Sequence, residues 1–152
     1  VRKLLNNLHL NAIESVRHFR YNTAMDKDFN AWNQIKQRLD AKTRIPTFNE
    51  REIWWCSIGV NVGHEQNGKG SMHNRPVLIL RKFSARLFWG VPLTTQIKQT
   101  VHYHPFTFEK RKQCAMLTHV RLYDAQRITH LMGRLNEGEF TEIKRKVMTY
   151  LA

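Results

Sequence analysis

The chain has 152 residues, 41% of them hydrophobic, which suits one compact domain with an appendage better than two full domains. Its 25 Lys and Arg against 12 Asp and Glu leave a formal charge of +13, and such an excess favours a polyanionic partner, because each neutralised phosphate releases condensed counterions. No apolar run approaches the roughly 20 residues of a membrane-spanning helix, Val1–Leu10 has no continuous apolar core, and two cysteines make no disulfide framework; the expectation is a soluble chain in a reducing cytoplasm.

Leu4, Leu5, Leu8, Ala12, Ile13, Val16 and Phe19 recur at helical spacing, with Arg2, Lys3, Arg17 and Arg20 on the polar side. They predict an amphipathic helix over 2–20, suited to covering an exposed patch, docking a partner helix or simply packing. A second helix is predicted over 26–39, with Asp26 near its start and Phe29, Trp32, Ile35 and Leu39 on one face. Lys42–Asn49 contains Pro46 and reads as a connector. From Glu52 the pattern changes to strands. Glu52–Ile58 puts Trp54, Cys56 and Ile58 on one side and Ile53 and Trp55 on the other. Arg75–Phe83 and Arg86–Leu93 predict a hairpin around Ser84-Ala85. Val101–Phe108 and Gln113–Leu122 are further strands, and Asp124–Leu135 holds a helical turn and a short strand. A last helix opens at Asn136, with Glu139 three residues on as a capping box and Phe140, Ile143, Val147 and Leu151 as its apolar face. The expected organisation is a helical extension over 1–45 and, over 50–152, a small, strongly bent antiparallel sheet or barrel: an α+β fold, mainly β.

The chemistry concentrates in one stretch. The strand-like runs IWWCSI and PVLIL flank a polar loop with His64, Glu65, Gln66 and Lys69, which ends at Arg75-Pro76; a third strand, LFWGVPL, ends at Thr94-Thr95. Cleaving RNA within its own backbone requires removing the 2′-hydroxyl proton, stabilising charge on the phosphate and protonating the leaving 5′-oxygen. Arginine offers a planar fork for phosphate oxygens, threonine one more hydrogen bond, and histidine exchanges protons near neutral pH. Arg75, Thr94 and His64 are these three types. Gly63, Gly68 and Gly70 are expected to make the loop deformable.

E-I-W from Glu52, G-H-E-Q from Gly63, R-P-V-L-I from Arg75, V-P-L-T from Val91, R-x-x-D from Arg121 and a closing helix occur in that order. The set resembles the MazF/PemK family of toxin endoribonucleases of type II toxin–antitoxin pairs, over about Glu50 to Leu151. The resemblance implies an SH3-like, CcdB/MazF-like barrel working as a symmetric homodimer. It implies sequence-selective cleavage of single-stranded RNA to 2′,3′-cyclic phosphate and 5′-hydroxyl ends, without metal or cofactor. It also implies an antitoxin whose flexible acidic tail occupies the RNA groove. Arg75 matches the phosphate-binding arginine of R-P and Thr94 the threonine of P-[ILV]-T, while His64, Glu65 and Gln66 match the loop of the PemK-like branch. Catalysis is thus expected from Arg75, Thr94 and His64, and substrate contacts from Glu65, Gln66, Lys69, Thr95 and Arg121, with Arg121 and Asp124 mainly holding the active-site floor or the dimer seam. The chain departs from the PemK-like pattern in having Met116 and Thr118 where that branch carries an arginine and an aspartate as acid and base. Its loop is also longer, with Lys69, Ser71, Met72, His73 and Asn74 before Arg75.

Other residues allow other readings. His102 and His104, two apart, suit a metal only with a third ligand, and none stands at a convincing distance. Trp54, Trp55 and Trp89 suit base stacking, though whichever of Trp54 and Trp55 faces inward belongs to the core. Lys110, Arg111 and Lys112 read as a solvated turn, and Cys56 and Cys114 as packing residues. The alternative function is a barrel toxin that binds DNA gyrase without cutting, or a nucleic-acid-binding module.

Overall fold

The computed structural model describes residues 27–152, so the helix expected over 2–20 lies outside the described residues. Helix α1 spans Phe29–Asp40, with Asp28 at its N-cap, accepting from the Ala31 amide at 2.8 Å. Its buried stripe is Trp32, Ile35 and Leu39; Phe29 stays half exposed. Seven strands follow: β1 (Glu52–Ser57), β2 (Asn74–Lys82), β3 (Leu87–Thr94), β4 (Tyr103–Phe108), β5 (Arg111–Met116), β6 (Arg121–Asp124) and β7 (Ile128–Arg134). Helix α2, Glu137–Leu151, closes the described chain. Among the described residues no helix is long and apolar enough to cross a membrane.

All strand pairs are antiparallel, in the order β4-β5-β3-β2-β1-β7, with β6 also on β3. Strand β3 is therefore a fork. One side pairs with β2; the other pairs with β6 through Leu87–Gly90 and with β5 through Leu93 and Thr94. The fork explains why the continuous strand predicted over Gln113–Leu122 is broken. The chain must leave one limb of β3 and join the other, and it does so through a 3₁₀ turn at Leu117–His119, pinned by buried Leu117, whose amide donates to His102 O at 2.9 Å. Gly90 sits at the branch, where a Cβ would meet Val77 Cγ1 at 2.4 Å, so only glycine lets β3 lie this close to its neighbours.

The mainly β architecture expected from the period-two alternation is what forms. Alternate residues feed two cores. Ile53, Leu78, Leu80, Val91 and Leu93 face Phe140, Ile143 and Val147 of α2. Trp54, Cys56, Val77, Ile79 and Phe88 pack with Phe48, Tyr123 and Ile128. Cys56 and Cys114 are free and fully buried, and burial pushes the Cys56 thiol up to about 12. Leu151, expected on the apolar face of α2, is half exposed instead, beyond the last turn that meets the sheet.

The predicted capping box forms only by half. Asn136 accepts from the Glu139 amide at 2.9 Å, but the Glu139 carboxylate turns to His104 Nε2 at 3.1 Å. Lys146 Nζ lies 2.9 Å from His104 Nδ1. An ammonium only donates, so Nδ1 accepts and Nε2 carries the proton towards Glu139. Both ring nitrogens are engaged, which makes His104 a clasp between β4 and α2. His102 is exposed, beside the Tyr150 ring.

Candidate functional site

The floor of the site follows from strand register. Val77 pairs with Pro92, Leu78 with Val91 and Ile79 with Gly90. Continuing that pairing by two residues sets Arg75 opposite Thr94, at the open end of the β2–β3 hairpin. Pro76 restricts Arg75 to extended backbone, which fits its place near the start of β2. The Arg75 side chain is buried. Its Nε donates to Asn67 O at 3.0 Å and its Nη1 to Leu93 O at 3.2 Å, using two of five N–H groups. With Gln66, Lys69, Thr94, Lys98, Tyr103 and Met116 it lines a cleft of about 90 Å³. Burial lowers the Arg75 pKa, yet a guanidinium starts so high that it stays charged. Thr94 Oγ1 accepts from the Gln96 amide at 3.2 Å, so its own proton is available as a donor.

The loop between β1 and β2 is braced by hydrogen bonds despite its glycines. Asn61 is the hub: its amide donates to Asn67 Oδ1 at 2.6 Å and its side chain to Gln66 O at 2.7 Å. Gly68 N donates to Gly59 O at 2.8 Å, and Lys69 and Asn74 exchange backbone bonds at 2.8 and 2.9 Å. These bonds hold Gln66 and Lys69 over Arg75.

A second depression, about 270 Å³, adjoins the cleft through Gln66 and is lined by Glu65, Thr118, His119, Arg121 and Tyr123. Arg121 Nη2 donates to Ile58 O at 3.1 Å, and its guanidinium lies 4.6 Å over the Tyr123 ring. Tyr123 is 1% exposed, and its hydroxyl has no partner of good hydrogen-bond geometry among the described residues. Burial pushes that phenol up to about 12, so it remains a donor. His119 has Nδ1 3.4 Å from Thr118 Oγ1. Burial, then the charges of Arg75 and Lys98, holds its imidazole below the ordinary value. It is therefore neutral, and a base, at pH 7.

The structure thus brings together Arg75, Thr94, Gln66 and Lys69, with Glu65 and Arg121 in the adjoining depression. His64 and Thr95 are exposed and outside the residues lining both depressions. Asp124, expected in the floor or the dimer seam, pairs with Leu87 at the other end of β3 from Thr94, roughly 20 Å along the strand and away from the floor. There it caps the short turn Ala125–Arg127, accepting from Gln126 N at 2.8 Å, and lies 3.9 Å from Arg86. Met116 lines the cleft and Thr118 the second depression. His119 and Lys98 were not singled out by sequence. His119 lies two residues before Arg121, inside a stretch that reads as uninterrupted strand, so its exposure to the groove had no local sign.

Comparison with known proteins settles the family. The PemK-like, MazF-like toxins of type II toxin–antitoxin systems match residues 49–151. The chain belongs to this family. No curated protein matches it in sequence. Solved structures agree with the PemK/MazF fold. MazF from Deinococcus radiodurans (form I) superposes with a TM-score of 0.55 at 17% identity, covering 71% of this chain and 97% of that one. The MazE-MazF structure from the same organism (form II) gives 0.51 at 13% identity, with 72% and 97% covered. An endoribonuclease in complex with its cognate antitoxin, from a mycobacterial species, gives 0.50 at 14% identity, with 70% and 94% covered. Helix α1 precedes the segment that matches the PemK/MazF family.

Proposed function

We propose that this toxin is an endoribonuclease that cleaves single-stranded RNA by internal transfer, leaving 2′,3′-cyclic phosphate and 5′-hydroxyl ends. The observation that carries this reading is that Arg75 and Thr94 line one small cleft together with Lys69 and Lys98. Arg75 directs its remaining N–H groups at the scissile phosphate, and Thr94 donates to a non-bridging oxygen. Neutral His119 takes the 2′-hydroxyl proton as the 2′-oxygen attacks phosphorus. The bond to the 5′-oxygen breaks, and that oxygen takes a proton from Lys98, which water then reprotonates. This pair stands in for the acid and base that Met116 and Thr118 cannot supply. His64 is assigned to the rim, where flanking RNA passes. Glu65, Gln66 and Arg121 meet the neighbouring nucleotide, over a floor that includes buried Tyr123.

The same reading includes an antitoxin whose acidic tail competes for this basic cleft. It also includes a homodimer, for which exposed Phe83, Leu87 and Trp89 offer apolar surface. Purified protein incubated with a long defined RNA is expected to give clustered cuts with 5′-hydroxyl ends, with or without excess EDTA. Intact RNA, or cleavage lost in EDTA and restored by a divalent cation, overturns the mechanism. Intact RNA with DNA gyrase inhibited gives the fold to the binding alternative.

A further inference from the structure

The cleft and the depression beside it do not end at Arg121. Through Glu65 and Arg121 they run into a trough of about 680 Å³, whose opposite wall is helix α1. That volume falls within the roughly 300–1,000 Å³ of built small-molecule sites. We infer that this trough is a subsite for unpaired RNA nucleotides flanking the cut, with α1 supplying the recognition surface. The inference rests on the ribonuclease reading and extends it to substrate choice.

Helix α1 is built into the site. Trp32 is 5% exposed and fills the space over Gly59, where a Cβ would meet its ring at 2.3 Å; Gly59 also has φ +90°, which a side chain would strain. Arg127 lies 5.7 Å over the Trp32 ring and donates to Ser57 O at 3.0 Å. Lys27 donates to Asn61 O at 2.7 Å and Gly63 O at 2.9 Å, tying the helix start to the braced loop. Lys42 and Gln126 tie the other end, through Lys42 Nζ to Gln126 O at 2.8 Å and Gln126 Nε2 to Asp40 O at 2.8 Å.

What this wall presents suits single-stranded RNA. Three cations, Lys36, Arg121 and Arg127, face one carboxylate, Glu65. Phe29, 49% exposed, offers a ring for stacking, and exposed Asn30 and Asn33 offer amides that pair with base edges. The cations would serve an acidic peptide equally well; the exposed ring and the amides, which suit stacking and base edges, favour RNA. Because α1 lies before residue 49, this surface is an addition to the part shared with the family.

The test compares the full chain with a Phe29→Ala, Asn33→Ala, Lys36→Gln triple variant, all three on the exposed side of α1. The probe is a single-stranded RNA of about twelve nucleotides, 2′-O-methylated so that it cannot be cut, set beside cleavable RNAs trimmed towards the cut site. The triple variant is expected to bind the long probe about tenfold more weakly and to cut the shortest substrate as fast as the unaltered protein. Lys36→Gln alone is expected to lower the slope of log affinity against log salt by about 0.7. Equal binding of the long probe overturns the inference, as does an equal loss on long and short RNAs. Unchanged RNA behaviour with lost affinity for an acidic peptide also overturns it and gives the trough to a protein tail. If no RNA is cut but the probe binds with this Lys36 dependence, the ribonuclease reading fails, and with it the role beside a cut, while the trough stands as an RNA-binding surface.

Discussion

The floor and the wall of the groove are made in different ways. The floor is a register: the β2–β3 pairing of Val77 with Pro92 leads Arg75 and Thr94 into one cleft, and a slip of one residue would send them to opposite faces. The wall is a docking: α1 stands where it does because one indole fits over one glycine. Chemistry placed on a ladder of backbone hydrogen bonds tolerates little variation. Recognition placed on a docked helix can change without disturbing that ladder. The two should therefore fail separately.

The sharpest break is at the floor. Arg75→Ala is expected to lower cleavage by at least 10²–10³-fold, about 3–4 kcal/mol of transition-state stabilisation. It also frees Asn67 O and Leu93 O, so Arg75→Lys is the companion variant, keeping charge but losing the fork; circular dichroism and steady-state rates read both. At the wall, Trp32→Ala should cost about 3 kcal/mol in urea titration by opening a cavity at Gly59, and should weaken RNA binding more than it slows the chemical step. If it lowers kcat on a short substrate as much as Arg75→Ala does, floor and wall are not separable.

His119 tests the join between them. Its folded pKa is lowered, so the neutral base persists until pH falls below the ordinary value of 6.5. Cleavage should decline as pH drops through that lowered pKa, and His119→Gln should slow the reaction roughly 10²-fold and remove that limb from the kcat/KM profile. The stability linkage has the same sign: the contribution is present above the unfolded pKa and lost as pH falls through the folded one. A variant that keeps the acid limb returns the proton-carrying role to another group. The smallest effect is expected from Asp28→Ala, which removes the α1 cap for about 1 kcal/mol and should loosen the wall while leaving short-substrate cleavage unchanged.

The floor was largely legible in the sequence and the wall was not. Alternation in PVLIL and LFWGVPL marks two strands, and the R-P and V-P-L-T pairs mark their facing ends. Helix α1 was legible as a helix, from Trp32, Ile35 and Leu39. Its seat was not, because the contact joins residues 32 and 59 and leaves no local pattern. Leu117–His119 failed for a related reason. β-Propensity favours a strand there, but the branching of β3 demands a change of direction. His119 went unnoticed with it. The hydrogen bonds that Asn61 and Asn67 make in the loop were not legible either, because a glycine count says nothing about them.

The fork in β3 also bears on when the protein becomes dangerous to its host. Arg75 and Thr94 lie at the end of the hairpin farthest from its turn, where zipping finishes last, and they are held there by β5 and by the loop. A nascent or partly unfolded chain that already has the turn still lacks the assembled pair. On the proposed mechanism, cleavage would then require the completed fold, and an antitoxin made alongside would have that interval in which to engage.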